Sequence, residues 1–233
     1  MARIDLKTVP SLRGKRILVT GGSRGIGRAL AMAFLEEGAR VSICARHEEG
    51  FGPMRDAGAL AVAVDVTDPI AVERWIVRVG QEWGVLDAVV NNAAVLNEGR
   101  LVEQTPAEWR ETIHADLTGP YFVSRFALKI LPRGNIVNVT SGLGFFPMEP
   151  YGAYCVSKAG LNMLTRVLAL ELKGAVRVNA VDPGEARTRM NPGAPAEPDA
   201  VVPIVRALVS LDASGPTGCC FDKRGNEVPW DRS

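Results

Sequence analysis

Short, almost wholly apolar, β-branched runs alternate along the chain with longer stretches whose apolar residues recur every three to four positions. Runs at 16–20, 41–44, 60–64, 86–90, 135–139 and 176–181 read as strands. A helical pattern passes through Leu30, Ala33, Phe34 and Leu35, and further ones span 69–82, 105–131 and 152–173. Strands that are apolar at nearly every position belong in a parallel sheet covered on both faces. Right-handed crossovers between them make it a doubly wound α/β fold. Residues 46–59 hold Gly50, Gly52, Pro53 and Gly58, which leaves room for only a short helix there. Residues 191–203 carry five Pro or Gly (Pro192, Gly193, Pro195, Pro198, Pro203), but too little chain follows for a second domain. The expectation is one domain over 1–233, with an N-terminal extension at 1–12 and a short loop at about 189–203.

Charge and composition remove several function classes. The chain has 27 Lys plus Arg against 26 Asp plus Glu, a formal net charge of +1, which offers no electrostatic reason to expect nucleic acid as a partner. No apolar run approaches the ~20 residues of a membrane span, and the first residues lack a signal peptide's apolar stretch. The expected location is cytoplasmic, with no membrane partner. Cys44, Cys155, Cys219 and Cys220 form no C-x-x-C pair, and His47 and His114 are the only histidines. A metal centre is not expected.

The first strand runs directly into Thr20-Gly21-Gly22-Ser23-Arg24-Gly25-Ile26-Gly27, where a helix begins. Glycines let the backbone turn sharply and approach a pyrophosphate, and a helix N-terminus offers unpaired N–H groups and the positive end of its dipole. The spacing is G-x-x-x-G-x-G rather than G-x-G-x-x-G. Further along, Tyr154 and Lys158 stand at i and i+4, hence on one face of the 152–173 helix. Tyr151, with Cys155 four residues on, makes no such pair.

These motifs resemble the short-chain dehydrogenase/reductase family. Matches follow in that family's order: Thr20-Gly21-x-x-x-Gly25-x-Gly27, Asp65-Val66, Asn91-Asn92-Ala93-Ala94, Ser141, Tyr154-x-x-x-Lys158, and Asn179-x-x-x-Pro183-Gly184 with Thr188. They span roughly 13–221. The resemblance implies a Rossmann-type sheet and NAD(P)-dependent carbonyl/alcohol chemistry. It also implies a cofactor site from Gly21, Ser23, Arg24, Gly25, Ile26 and Gly27, with Asp65 and Val66 at the adenine and Asn91, Asn92 and Ala93 at the ribose. Pro183, Gly184 and Thr188 would meet the nicotinamide, and Lys158, with Tyr154, its ribose.

Cofactor choice follows from charge. The second strand ends at Cys44-Ala45-Arg46, with no carboxylate to hold a ribose 2′-hydroxyl. Arg46 and Arg24 can instead form charge-assisted bonds to a 2′-phosphate, so NADP(H) is expected over NAD(H).

The expected catalytic set is Ser141, Tyr154 and Lys158. Tyr154 would give a proton to the developing alkoxide, Ser141 would polarise the carbonyl, and the Lys158 cation would lower the tyrosine pKa. Asp116 is a further expected member, standing where the family often has Asn. The resemblance implies a main-chain role for it in a water-linked proton relay, but a carboxylate changes the local charge. The substrate mouth is expected at Val95, Leu96, Leu143, Phe145, Phe146, Met148, Tyr151 and Met190. With a short loop after Thr188, this suggests an open site for an uncharged carbonyl compound.

Two other readings share the motifs. A 3-oxoacyl-acyl-carrier-protein reductase would need a basic patch, for which Lys129, Arg133, Arg166 and Lys173 are candidates. A cofactor-sensing or scaffold protein would not need the Ser141-Tyr154-Lys158 set. Apolar residues around much of the 105–131 and 152–173 helices (Tyr121, Phe122, Phe126, Leu161, Leu164, Val167, Leu168, Leu170) suggest a homodimer or homotetramer.

Overall fold

The computed structural model describes residues 2–172 and 174–231. Strands β1 (Arg16–Thr20), β2 (Arg40–Ala45), β3 (Leu60–Ala63), β4 (Ala88–Asn91), β5 (Gly134–Val139), β6 (Val176–Asp182), β7 (Cys220–Asp222) and β8 (Glu227–Val228) form one sheet. Their order is β3-β2-β1-β4-β5-β6-β7-β8, parallel throughout except for the antiparallel β7–β8 pair. The order reverses between β1 and β4, and such a switch point opens a crevice at the carboxyl ends of the strands.

Alternation of side chains divides the core into two layers. Ile17, Val19, Val90 and Val137 face α1 (Gly25–Glu36) and α7 (Val202–Val209), meeting Leu30, Phe34, Ile204 and Leu208. Leu18, Val89, Ile136 and Val178 face α3 (Pro69–Trp83) and the helices beyond it, meeting Trp75, Ile76, Val123 and Leu168. At about 25 cal/mol per Å² of apolar surface, such fully buried chains contribute roughly 1.5–3 kcal/mol each. Trp75 is anchored as well as buried, since its indole donates to Ser42 Oγ on β2 at 2.9 Å. The crossover after β2 holds a helix of six residues, α2 (Phe51–Asp56), as its glycines and proline require.

Three expectations need revision. The fourth strand begins at Ala88 rather than Leu86. Asp87 there accepts the Arg16 backbone N–H and guanidinium at 2.9 and 2.8 Å, which turns it out of the apolar run. The helix expected over 105–131 is α4 (Pro106–Ile113), a π-helical turn (His114–Thr118) and α5 (Gly119–Ala127). Pro120 has no N–H to give the carbonyl of Asp116 and its ring crowds that position, so the ladder widens there; such π-turns are frequent at functional sites. Strands β7 and β8 are absent from the periodic reading because each is too short to show a period. They close on the N-terminal segment, where the Ile4 N–H donates to Gly225 O at 2.9 Å and Leu12 is fully buried.

Candidate active site

The glycine loop is held from beneath. The Thr20 hydroxyl at the end of β1 accepts the N–H groups of Asn92 and Ala93 at 2.9 and 3.0 Å. The Asn92 amide returns a bond to Thr20 O at 2.9 Å. Gly21 and Gly25 have φ of +67° and +54°, which L side chains rarely adopt. A Cβ on Gly27 would lie 2.3 Å from Gly21 O. The loop therefore folds tightly onto the start of α1, whose N-cap, Arg24, makes no side-chain cap bond. Uncapped N–H groups at the end of a twelve-residue helix suit a diphosphate.

Other expected cofactor residues ring the same crevice, with their polar atoms partly committed. The Asp65 carboxylate accepts the Thr67 N–H and hydroxyl at 2.9 and 2.8 Å. Val66 is buried against Gly119, so only its backbone can edge a ligand. The Asn91 amide donates to Asn138 Oδ1 at 2.8 Å and to Ser124 Oγ at 3.1 Å, so its side chain braces the sheet and leaves its backbone to face a ligand. Thr188 lies across the glycine loop, its methyl 3.3 Å from where a Gly25 Cβ would stand. Pro183 is half-buried and Gly184 exposed at the end of β6. Arg24 is exposed, whereas Arg46 pairs with Glu111 of α4 at 3.2 Å, both side chains about half exposed.

The expected catalytic residues do come together. Ser141, two residues beyond β5, faces Tyr154, and its hydroxyl accepts the Leu143 N–H at 3.2 Å. Lys158 is buried, its ammonium 3.2 Å from Val139 O and 5.3 Å from the Tyr154 ring centre. It also pairs with Asp116, which is fully buried, at 3.5 Å. Asp116 Oδ1 accepts the Val95 N–H at 2.7 Å. Burial pushes the Asp116 carboxyl up to about 6 despite the neighbouring ammonium. Burial also raises Tyr154, outweighing the pull of Lys158, so in this chain the phenol lies above its usual range rather than below it. For Lys158 burial works against the charge, yet Tyr154 and Asp116 together hold the ammonium above its usual range.

Two positioning residues escaped the sequence reading. Asn162 lies one turn beyond Lys158 on α6 (Gly152–Glu171); its Oδ1 accepts the Thr140 hydroxyl at 2.6 Å and its amide donates to Gly144 O at 3.1 Å. It thereby ties the Ser141 segment to the helix bearing Tyr154, and its i+4 spacing from Lys158 is the signal that could have found it. Asp182 ends β6, caps the Gly184 N–H at 3.0 Å, and presents its charge to Tyr154.

The mouth departs from expectation in one place. Phe145 stacks on Trp230 with ring centres 5.7 Å apart, in a cluster with Ala180, Cys220 and Val228 that β7 and β8 create. Leu143 and Tyr151 are half-buried, and Phe146, Met148 and Met190 are exposed. The loop after Thr188 is tied to itself, with Arg187 N donating to Ala196 O at 2.6 Å and the Arg187 guanidinium paired with Glu197. Among the described residues no helix is long and apolar enough to cross a membrane.

Comparison with known proteins agrees with this geometry. The short chain dehydrogenase family model matches residues 15–199. The chain is 34% identical to a meso-2,3-butanediol dehydrogenase of Serratia marcescens, over 93% of this chain and 96% of that one. It is 31% identical to a 3-oxoacyl-[acyl-carrier-protein] reductase of Thermotoga maritima, over 89% and 95%. A crystal structure of a short chain dehydrogenase from Burkholderia cenocepacia in complex with NADP superposes with a TM-score of 0.85 at 30% identity, covering 91% of this chain and 97% of that one. The chain belongs to the short-chain dehydrogenase/reductase family and is an NAD(P)-dependent oxidoreductase.

Proposed function

We propose that this protein is an NADPH-dependent reductase of an uncharged carbonyl compound, working reversibly as an alcohol dehydrogenase. The observation that carries this reading is a buried tyrosine that keeps its proton, facing Ser141 and one helical turn from a buried lysine. When bound, the nicotinamide supplies the hydride. Tyr154 then donates its phenolic proton to the oxygen of the former carbonyl. Ser141 donates to that oxygen as charge develops, and its backbone position at a strand end fixes the approach. The Lys158 ammonium favours the phenolate left behind. Positioned acid/base groups of this kind contribute roughly 10²–10⁴-fold.

The uncapped N-terminus of α1 would hold the diphosphate, and Arg24 and Arg46 the 2′-phosphate. Glu111 already occupies Arg46, so a phosphate must displace that pairing. An exposed pair of this kind is worth at most about 1 kcal/mol, less than the 1.5–3 kcal/mol of a charged hydrogen bond. The exchange therefore still favours NADPH.

A carrier-protein substrate receives less support. Lys129 is engaged by Glu73 at 2.6 Å and Arg166 lies over Trp230, which leaves Arg133 exposed, while Lys173 falls outside the described residues. The exposed apolar residues Tyr121, Val156, Met163, Val167 and Leu170 on α5 and α6 support a homodimer or larger assembly. The test of the functional reading is a screen of NADPH oxidation across ketones and aldehydes. Turnover of simple uncharged carbonyls is expected; turnover confined to thioester-linked 3-oxoacyl groups would replace this reading with the carrier-protein one.

A further inference from the structure

Lys158 has 3% of its side chain exposed, and an ammonium so deeply buried loses several kcal/mol of hydration unless a counter-charge faces it. The nearest counter-charge is not the phenol but Asp116, from the π-helical turn between α4 and α5. Its two oxygens are used differently. Oδ1 accepts the Val95 N–H, while Oδ2 makes no hydrogen bond and stands 3.5 Å from the Lys158 ammonium. Close packing accompanies this approach: a Cβ on Gly160 of α6 would lie 2.7 Å from Leu117 Cδ2, so glycine there lets the helix meet the turn without displacing that side chain.

We propose that Asp116 acts through its side chain as a positioning residue: its buried carboxylate anchors the Lys158 ammonium beside Tyr154 and offsets its charge there, so that the cation favours the phenolate less than it would unopposed. This rests on Tyr154 being the proton donor. The groups facing Tyr154 are Lys158 on its own helix, Asp116 on the π-turn, Ser141 beyond β5 and Asp182 at the end of β6. Lys158 is the single cation among them, and both carboxylates disfavour the phenolate. With an asparagine at 116, Lys158 would be an unopposed buried cation beside the tyrosine. Burial and Asp116 both push the Tyr154 pKa up, which agrees with this charge count.

The test needs no substrate. Tyrosinate absorbance is titrated in wild type and in Asp116→Asn, each with its Tyr154→Phe counterpart subtracted to remove Tyr121 and Tyr151. The pH range is that over which circular dichroism shows the fold intact. The Tyr154 midpoint is expected to fall by at least about one pH unit in Asp116→Asn, within the ~1–3 units that a nearby charge produces. Ionisation in the variant within a range where wild type shows none counts the same way. An unchanged or higher midpoint, or no ionisation in either protein, overturns the proposal. Asp116→Ala, also neutral, is the second variant should the asparagine form not fold. Failure of the proton-donor reading itself would show separately, as unchanged turnover in Tyr154→Phe.

Discussion

The two ends of the cofactor crevice are built on opposite principles. At the catalytic end, Asp116, Tyr154 and Lys158 are buried, and Asn162 ties the strand end bearing Ser141 to their helix. At the end proposed to hold the adenosine, Arg24 and Arg46 stand in solvent, and Arg46 is held by a half-exposed glutamate. Buried charges interact strongly because little water screens them, and each must have a partner. Exposed charges exchange partners at small cost. On the proposed reading, the chemistry is fixed by a buried arrangement, and cofactor preference by a balance of exposed, replaceable contacts.

The largest effect that separates the two ends comes from removing the buried cation. Lys158→Met leaves Asp116 without its counter-charge, and breaking a buried pair this way costs about 3–5 kcal/mol. Urea unfolding should show that loss, and adding Asp116→Asn should recover much of it. Equal stability of the single and double variants would mean that the pair carries no structural weight. At the exposed end the matching change is smaller. Arg46→Ala should weaken NADPH by about tenfold, after discounting a charged hydrogen bond for exposure, and leave NADH nearly unchanged. Ala45→Asp should move the preference toward NADH. Calorimetric titration of both nucleotides checks each, and tighter NADH binding in wild type would remove the arginines from the account.

A third site tests the contrast between buried and exposed charge away from the crevice. Burial raises the Asp87 carboxyl, but the Arg16 N–H and guanidinium outweigh it and hold the group below its usual value of 3.8. A lowered folded-state pKa stabilises the fold above the unfolded value, and that contribution is lost as pH falls through the folded value. As pH falls below the usual value of 3.8, stability should therefore decline less steeply in Asp87→Asn than in wild type, although the variant starts lower at neutral pH. Parallel acid denaturation profiles in the two proteins would contradict this. The smallest effect concerns assembly: light scattering should give a particle larger than the 25.0 kDa chain, and a monomer at micromolar concentration would leave the apolar face of α5 and α6 without a partner.

The contrast also explains what could be read from the sequence. Strands β1 to β6 were legible because a strand buried on both faces leaves a continuous apolar run. The Tyr154 and Lys158 pair was legible because helical spacing puts i and i+4 side by side. Strands β7 and β8 were not, since two or three residues carry no period. The π-turn was hidden in an unbroken apolar pattern, although Pro120 marks its cause. The motif shows the charges that favour the Tyr154 phenolate, Lys158 and the helix N-terminus, whereas burial decides the direction of the shift; burial is a property of the packed whole and not of a motif. Phe145 looked like a mouth residue until β7, β8 and Trp230 gave it another neighbour.

The central claim is that Tyr154 delivers the proton while the rest of the crevice binds the nucleotide. Its most direct test compares Tyr154→Phe with wild type in two measurements on the same samples, NADPH affinity by calorimetry and turnover of a reducible carbonyl. Affinity should stay near wild type and turnover should fall by at least about 10²-fold, the lower range for a lost acid/base group. Turnover comparable to wild type would contradict the account.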